Sequence, residues 1–572
     1  MNYDKYPETQ IVGYDNDIFA DYQAIERELS FLSQESSYCL TVECYPGVYD
    51  EILEMIQMIY NPDIVIRSED IFYDKETLNQ MMKAHLTDDR VRGVMYYGCM
   101  EDFVDDKKLK EMKKILSSHK KILIYGVGAS LISQGNLFIY CDLARWEIQC
   151  RYRQGMANFK QDNCNEDSLK KNKRGYFIEW RIADKQKMKR FDQVDYFIDS
   201  HILGKPKMVT GQALRAGLKQ IVKCPFRLVP YFDPGVWGGQ WMKEVCGLDQ
   251  SKENYAWSFD GVPEENSLYL RFADTRIEIP AMDLVLYQPK ELLGMKNYCR
   301  FGAEFPIRFD FLDTIGGQNL SLQVHPLTEY IKSHFGMTYT QDESYYILDS
   351  RPGAGVYLGL KENIQPEKMI DDLKRAQKGE KTFDANQFIN FFSAKKHDHF
   401  LIPAGTVHCS SSNCMVLEIS ATPYIFTFKL WDWDRLGLDG LPRPIHIEDG
   451  EKNIQWDRTT KWVEDNLVNQ FEIKHLGEDY LEEKTGLHEL EFIETRRFTS
   501  QYKTYHQCYE GVHMLNLVEG SEALVESPTH AFAPYKVHYA ETFIIPAIVG
   551  EYTVCPVHKG ETIKFVKAYV RS

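Results

Sequence analysis

Hydrophobic residues in the first ~200 positions form short continuous runs, separated by segments with helical periodicity. The runs predict the strands "YCLTVEC" (38–44), "DIVIRS" (63–68), "RGVMYYG" (92–98), "KILIYG" (121–126) and "LFIYC" (137–141). The intervening segments "YDEILEMIQMIY", "KKLKEMKKIL" and "ARWEIQCRYRQ" predict helices. Continuous apolar strands alternating with helices are typical of a parallel, doubly wound sheet. We therefore predict an N-terminal α/β domain over residues 1–205.

One polar segment of this region, "QDNCNEDSLKKNKRG" (161–175), has no apolar period. We expect a surface loop here, with its lysines and arginine solvated.

After about residue 205 the pattern changes. Glycine and proline now punctuate short strands, as in "RFDFLDTIGGQNLSLQVHP", which favours antiparallel sheets in a barrel or sandwich. A helical segment at about 364–392 interrupts this β region. "IIPA" near residue 545 repeats the order seen in "LIPAGTVH" near 402, a weak sign of an internal duplication. The predicted fold is therefore multidomain: an α/β domain followed by two β domains with a helical insertion.

Candidate chemistry begins in "SLQVHP" (321–326), where Gln323 and His325 stand two positions apart on a predicted strand and project from the same face. Taken alone, the pair also fits an ordinary polar strand face. Glu343 in "TQDESYYILD" and His408 in "LIPAGTVH" complete a set of two nitrogen and two oxygen donors. Such a set suits zinc or another borderline divalent ion, and an open coordination position would suit catalysis.

A competing histidine pair lies in "KKHDHF", where His397 and His399 are also two positions apart. We predict that both lie at the surface or support the site from outside, without binding the ion.

Composition narrows the classes of partner that the chain can bind and the cell compartment expected for it. The chain has 572 residues, enough for about three or four domains, and a formal net charge of −17. This charge argues against nucleic acid and anionic membranes as general partners. We find no apolar run of membrane-spanning length and no signal-peptide pattern at the start. The 13 scattered cysteines predict reduced thiols, so we expect a cytoplasmic protein.

Five segments in order resemble the type I mannose-6-phosphate isomerases, which are metal-dependent cupin enzymes. They are "VWGGQW" (236–241), "GGQNLSLQVHP" (316–326), "DESYYILD" (342–349), "IPAGTVH" (402–408) and "RPIHIE" (443–448). The resemblance covers about residues 225–572. It implies one zinc ion per chain, with Gln323, His325, Glu343 and His408 as its ligands. It also implies that the chain interconverts mannose 6-phosphate and fructose 6-phosphate.

The change of pattern near residue 205 and the extent of the resemblance together lead to the predicted domain limits. We expect a metal-binding cupin over 206–425, which carries the helical insert. A connecting segment over 426–495 and a C-terminal cupin over 496–572 complete the chain.

Two departures from the family pattern bear on the substrate. The family has a lysine shortly before its zinc-binding glutamate, where this chain has Met337 and Thr338. It often has an arginine in the strand after its PAGTVH motif, where this chain has Lys429, which keeps the charge but loses the bidentate fork. Among the local cations, we expect Lys429 and Arg443 to bind the phosphorylated hexose, with Arg435 nearby.

The N-terminal region faintly resembles the uridine kinase branch of the P-loop kinases, through "GVGASLI" and "LFIYCDLARWEIQCRYRQG". The phosphate loop should lie in "VECYPGVYDE" (42–51), which lacks the GxxxxGK[ST] pattern. We therefore predict a kinase-like fold without competent ATP chemistry.

Three functions remain open from the sequence. The first is the isomerase, and the alternative is a catalytically weak or inactive regulatory protein that binds a sugar phosphate. An iron-dependent cupin oxygenase is a third possibility, for which no second resemblance exists. The sequence does not define the oligomeric state.

Overall fold

The computed structural model describes residues 2–422 and 424–571. None of the helices it describes is both long enough and apolar enough to cross a membrane.

The chain divides into two compact units, and each combines segments that are distant in sequence. The α/β unit comprises Glu8–Ile221 and Ser267–Gln288. The β-rich unit comprises Met1–Pro7, Val222–Asn266 and Pro289–Ser572. The protein is thus a mixed α/β chain with several sheets.

The α/β unit contains a seven-stranded sheet in which Tyr38–Cys44 is a central strand, paired in parallel with Lys121–Gly126 and Leu137–Asp142. Across the sheet the strands run in the order Ile18–Phe19, Lys207–Thr210, Tyr196–Asp199, Leu137–Asp142, Tyr38–Cys44, Lys121–Gly126, Ile64–Arg67. Lys207–Thr210 pairs antiparallel with both of its neighbours, Ile18–Phe19 and Tyr196–Asp199. Leu40 and Val42 are fully buried, which explains the continuous apolar pattern of the central strand.

The helices of this unit pack their apolar faces on that sheet. In Glu51–Tyr60, for example, Ile52, Met55, Ile56 and Ile59 are buried at helical spacing, and the helix ends at Asn61 in a left-handed conformation. The α-helices are Tyr22–Leu29, Glu51–Tyr60, Lys75–Leu86, Asp106–Ile115, Ala129–Ile132, Arg145–Arg153, Ser168–Arg174, Trp180–Arg190, Gly211–Ile221 and Ala281–Tyr287. A second, three-stranded sheet joins Glu8–Ile11, Ser267–Phe272 and Thr275–Pro280.

Two local predictions for this unit are wrong. Residues 92–98 form no strand and follow an irregular path. The predicted solvated loop at 161–175 contains the helix Ser168–Arg174, and Lys171, Lys173 and Arg174 are buried. Lys171 Nζ donates to the backbone oxygens of Tyr152, Met156 and Cys164 at 2.6, 3.0 and 3.0 Å. Its charge is therefore satisfied by carbonyl groups of the chain instead of water.

The β-rich unit contains four largely antiparallel sheets. The first has the order His399–Ile402, Asp342–Ser350, Cys414–Ala421, Arg308–Asp313, Trp257–Gly261, Tyr231–Asp233. The second has the order Ile389–Ser393, Gly355–Leu360, His408–Ser410, Leu322–Val324, Phe428–Trp431. The hydrogen bonding leaves these sheets open, so no closed barrel forms among the described residues.

The C-terminal part of this unit repeats a two-sheet arrangement. One sheet has the order Glu472–Leu476, Tyr480–Gly486, Ile493–Ser500, Ile563–Val570, His513–Glu519, Thr542–Ile545. The other has the order Thr504–Gln507, Glu551–Pro556, Glu522–Glu526, Tyr535–His538. Leu515 and Phe565 of the first sheet share one buried cluster with Val525 and Val554 of the second.

Short helices connect and cover these strands. They are Trp241–Val245, Pro289–Leu293, Met295–Phe301, Thr328–Phe335, Pro366–Gln377, Ala385–Phe388, Ile447–Asn453 and Thr460–Asn466. Pro366–Gln377 and Ala385–Phe388 occupy the region of the predicted helical insert.

Candidate functional site

Three neighbouring strands of the five-stranded sheet bring polar side chains into one row. Gln323 on Leu322–Val324 is the register partner of His408 on one side and of Lys429 on the other. Residues directly opposite each other in a sheet project from the same face. His408, Gln323 and Lys429 therefore share that face, although they are far apart in sequence.

Glu343, which lies on the neighbouring six-stranded sheet, completes a buried cluster with His325 and His408. The Glu343 carboxylate lies 3.2 Å from His325 Nε2 and 2.8 Å from His408 Nε2. The Gln323 amide nitrogen is 3.2 Å from His408 Nε2. The ligand atoms of the two histidines and Glu343 all lie within 4.8 Å of one another. The structure thus brings together the four predicted ligands.

Backbone carbonyl groups set the orientation of both imidazole rings. His325 Nδ1 donates to the Phe426 carbonyl oxygen at 2.9 Å, and His408 Nδ1 donates to the Thr406 carbonyl oxygen at 2.9 Å. A proton held on Nδ1 leaves the Nε2 lone pair available. Both Nε2 atoms face Glu343, so the rings present their lone pairs to one point.

The two pKa shifts within the cluster act in opposite directions on metal binding, since a lowered carboxyl pKa frees a ligand and a raised imidazole pKa retains a proton that the ion must displace. Burial alone would raise the pKa of Glu343, but His325 and His408 hold it well below its usual range. Burial alone would lower the pKa of His325, but the Glu343 carboxylate raises it. An ionised carboxylate among imidazoles is a ready ligand for a divalent ion, which needs deprotonated donors.

The contacts within the cluster fit a bound cation. His325 Nε2 and Glu343 Oε1 are buried and receive no hydrogen-bond donor within the described chain. With the ring protons on Nδ1, the contacts between the two Nε2 atoms and the carboxylate join lone pairs. Ligand atoms about 2.1 Å from a tetrahedral zinc lie roughly 3.4 Å apart, close to the separations here. Buried atoms with unused lone pairs, aimed at one point, are explained by a shared cation.

One supporting residue escaped the sequence analysis. The Gln341 amide nitrogen donates to Glu343 Oε2 at 3.0 Å and to Glu418 Oε1 at 3.1 Å, while its oxygen accepts the Phe426 N–H at 2.7 Å. Gln341 thus holds the carboxylate directly and, through Phe426, the residue that orients His325. Its position two residues before Glu343, just ahead of the strand Asp342–Ser350, was the available signal.

The two predicted substrate cations occupy different surroundings. Lys429 lies beside Gln323 in the row described above. Arg443 instead forms an ion pair with Asp432, with Nη1 3.1 Å from Oδ2, and Arg435 binds the other oxygen of the same carboxylate at 2.7 Å. Arg443 and Arg435 line a cavity of about 540 Å³ that also includes Lys381.

The histidines of the competing pair have protein partners of their own. His399 Nε2 is 2.8 Å from Ser344 Oγ, and its burial lowers its pKa to about 3. His397 lies between the Tyr346 hydroxyl and Glu519, at 2.8 Å from each. Met337, which stands where the family has a lysine, is buried.

At the carboxyl edge of the parallel sheet, basic side chains of the α/β unit bind other groups of the same unit. The loop after Tyr38–Cys44, where a phosphate loop would lie, contains Gly47, whose carbonyl oxygen accepts a 2.8 Å hydrogen bond from Arg151. Asp142, at the end of the adjacent strand, binds the buried Lys187, and burial raises the Asp142 pKa to about 8. The basic groups at this edge thus bind groups of the chain itself, and the absence of ATP chemistry stays a prediction.

Comparison with known proteins separates the two parts of the chain. Residues 21–223 match a family model described as a domain of unknown function, DUF8485. "Probable mannose-6-phosphate isomerase GmuF" of Bacillus subtilis (strain 168) is 24% identical over 332 residues, which cover 58% of this chain and 96% of that protein. The chain is similar to mannose-6-phosphate isomerases. "Mannose-6-phosphate isomerase ManA" of the same organism is 24% identical over 258 residues, covering 44% and 74% of the two chains. The resemblance predicted from the motifs is thus confirmed.

The solved structures that match this chain include that of the mannose 6-phosphate isomerase from Bacillus subtilis. It has a TM-score of 0.49 and 16% identity, covering 60% of this chain and 99% of its own. A mannose 6-phosphate isomerase bound with zinc and yttrium has a TM-score of 0.45 and 14% identity, with coverages of 60% and 99%.

Proposed function

We propose that the chain is a metal-dependent aldose–ketose isomerase that interconverts mannose 6-phosphate and fructose 6-phosphate. The observation that carries this proposal is the buried donor set of Gln323, His325, Glu343 and His408, with a lysine in the same row. Curated relatives named mannose-6-phosphate isomerases support the choice of substrate, since the chain spans 96% of the length of one of them.

We further propose that the two sheets carrying these residues form a cupin, and that the C-terminal pair of sheets forms a second one. The first pair of sheets extends past the predicted limit of 425 to include Phe428–Trp431, and the second begins before 496, at Glu472–Leu476. In such a fold, ligands project between two facing sheets.

One zinc ion per chain fits the site. Two imidazole nitrogens, one carboxylate and one amide oxygen make a donor set typical of zinc with room for a further ligand. When bound, zinc acts as a Lewis acid that stabilises negative charge on oxygen. Glu343 and the two histidines would hold it, and Gln323 would supply the weakest of the four donors.

The reaction moves a proton between C1 and C2 of the sugar through an enediol, so negative charge develops on the substrate oxygens. Lys429 lies beside Gln323, and its ammonium group would stabilise that charge or orient the substrate. Arg443 would bind the phosphate, since the cavity that it lines also carries Arg435 and Lys381. A substrate with two negative charges requires such a local basic group in a protein of net charge −17.

A coupled assay tests this proposal. Purified protein loaded with zinc should convert mannose 6-phosphate, and removal of the metal should abolish turnover. The variant His325→Ala should be inactive, and Gln387→Leu, at an exposed side chain, should be unaffected. If the zinc-loaded protein binds the sugar phosphate without turnover, the isomerase proposal is contradicted and the regulatory alternative is favoured. The intact donor set argues against that alternative. Elemental analysis of bound iron and zinc would distinguish the zinc isomerase from an iron-dependent oxygenase.

The setting of this activity is part of the same proposal. We place the enzyme in the cytoplasm with a phosphorylated hexose as its partner, and with neither nucleic acid nor membrane. The α/β unit, in this view, retains a kinase-like fold without ATP chemistry.

A further inference from the structure

A second cavity lies in the β-rich unit, and neither the donor set nor the row with Lys429 contributes to it. Its volume is about 690 Å³, which falls in the range of small-molecule sites. Asp349 lines it, near the far end of the strand that begins Asp342–Glu343. Six residues along a strand correspond to roughly 20 Å. The cavity is therefore well separated from the candidate metal centre.

Two aromatic side chains form part of its wall. The rings of Trp241 and Tyr539 meet edge to face, with centroids 6.2 Å apart. Trp241 is buried, while Tyr539 is half-buried and the Lys396 ammonium lies 5.4 Å from its ring centroid. Aromatic walls of this kind present apolar area together with a polar hydroxyl or N–H group.

A hydrogen-bonding pair stands beside these rings. The Asp349 carboxylate accepts the Trp241 indole N–H at 2.9 Å, which fixes its direction. The exposed Arg351 guanidinium lies 3.6 Å from the same carboxylate. A carboxylate has about four acceptor positions and a guanidinium has five donors, so both keep capacity for a ligand. Adjacent acceptor and donor groups match the neighbouring hydroxyls of a sugar ring, each of which donates and accepts.

Acidic and basic groups are mixed around the cavity. Glu244, Asp349 and Glu522 are acidic, Arg351 and Lys396 are basic, and His558 adds an imidazole. A lining of mixed sign favours neither a strongly charged anion nor a strongly charged cation, whereas a neutral molecule rich in hydroxyl groups can use both signs.

We propose that this cavity, walled by Trp241 and Tyr539 with Asp349 and Arg351 as its hydrogen-bonding pair, binds the ring of an unphosphorylated pyranose sugar. This goes beyond the proposed isomerase, because it assigns a second sugar site that takes no part in the chemistry at the metal centre. The site stands whether or not the metal centre turns over mannose 6-phosphate.

Saturation-transfer NMR on the full-length protein tests the proposal with methyl α-D-mannopyranoside. This glycoside carries no phosphate, and its locked ring cannot be isomerised. We expect saturable binding in the millimolar range. Tyr539→Ala and Arg351→Ala should each weaken it at least about fivefold, because contact residues at the centre of a site contribute most. Tyr505→Ala, at a tyrosine with 73% of its surface exposed elsewhere in the unit, should leave binding unchanged.

Two outcomes would overturn the proposal. One is the absence of saturable binding. The other is binding that His325→Ala removes and that both Tyr539→Ala and Arg351→Ala leave intact, which would place the glycoside at the metal centre. Since Arg351 is exposed at the rim, its variant will fold even if Tyr539→Ala does not, and turnover of mannose 6-phosphate should be unchanged in both. A protein that binds the glycoside but lacks isomerase activity would reject the proposed function alone.

Discussion

Gln341→Leu is the sharpest test of how the candidate metal centre is built. The substitution keeps the approximate size of the side chain but removes its amide. Three hydrogen bonds are lost: those to Glu343 Oε2 and Glu418 Oε1, and the one from the Phe426 N–H. Because the Phe426 carbonyl orients His325, the change loosens one carboxylate ligand and one imidazole ligand together.

The expected effect follows from these contacts. Removing a residue that orients metal ligands typically lowers metal affinity by about 10- to 100-fold, which equals about 1.4–2.7 kcal/mol. The Phe426 N–H would also remain buried without its partner, at a cost of about 1–3 kcal/mol in the free energy of unfolding. Both the dissociation constant for zinc and the unfolding midpoint should therefore move.

Competition against a coloured zinc chelator measures the dissociation constant, and urea unfolding measures stability. Gln387→Leu is the matched control, because Gln387 is exposed on a short helix. A zinc dissociation constant within twofold of the parent protein in folded Gln341→Leu would refute the reasoning. It would mean that Glu343 and His325 hold their positions without the amide.

Three further changes probe other features. His325→Ala should lose most of its bound metal, as measured by elemental analysis, while Gln323→Ala should lose less because water can replace a neutral amide oxygen. Equal retention of metal in both variants would argue against a metal site. The pKa of buried His399 is about 3, so the folded state stays neutral while the unfolded state gains a proton below pH ~6.5. Stability should therefore fall by about 1.4 kcal/mol per pH unit below that point, and His399→Gln should abolish this contribution in urea unfolding at pH 7 and 5. Lys171→Ala should lower the free energy of unfolding by about 2–4 kcal/mol, since three carbonyls lose a charged donor. Lys170→Ala, at an exposed lysine, should change it little. Similar urea-unfolding midpoints for the two variants would show that the buried ammonium is dispensable.

Much of the candidate site could be predicted because its information is local. The i, i+2 spacing of Gln323 and His325 predicts a shared direction, which the structure has. Strand pairing then adds what spacing cannot show, namely that His408 and Lys429 flank Gln323. Gln341 was missed since an amide carries no charge, and its three partners meet only in the folded chain.

The errors in the α/β unit have a common physical origin. The basic run at 168–174 has the composition of a solvated helix, and only the tertiary structure places carbonyl oxygens around Lys171. The apolar segment at 92–98 has the composition of a strand but has no neighbour to pair with in the described sheet. By contrast, the strands 38–44 and 121–126 were predicted with their bounds, because burial on both faces leaves an unambiguous apolar run.

The two imidazoles of the metal centre are anchored by the carbonyl oxygens of Thr406 and Phe426. Every amino acid carries that carbonyl, so no single replacement at position 406 or 426 can delete either acceptor. The surrounding sequence can therefore change at many positions while both imidazole rings keep their orientation. Mutational sensitivity at this centre should concentrate in the donors themselves and in Gln341, and spare the residues that anchor the rings.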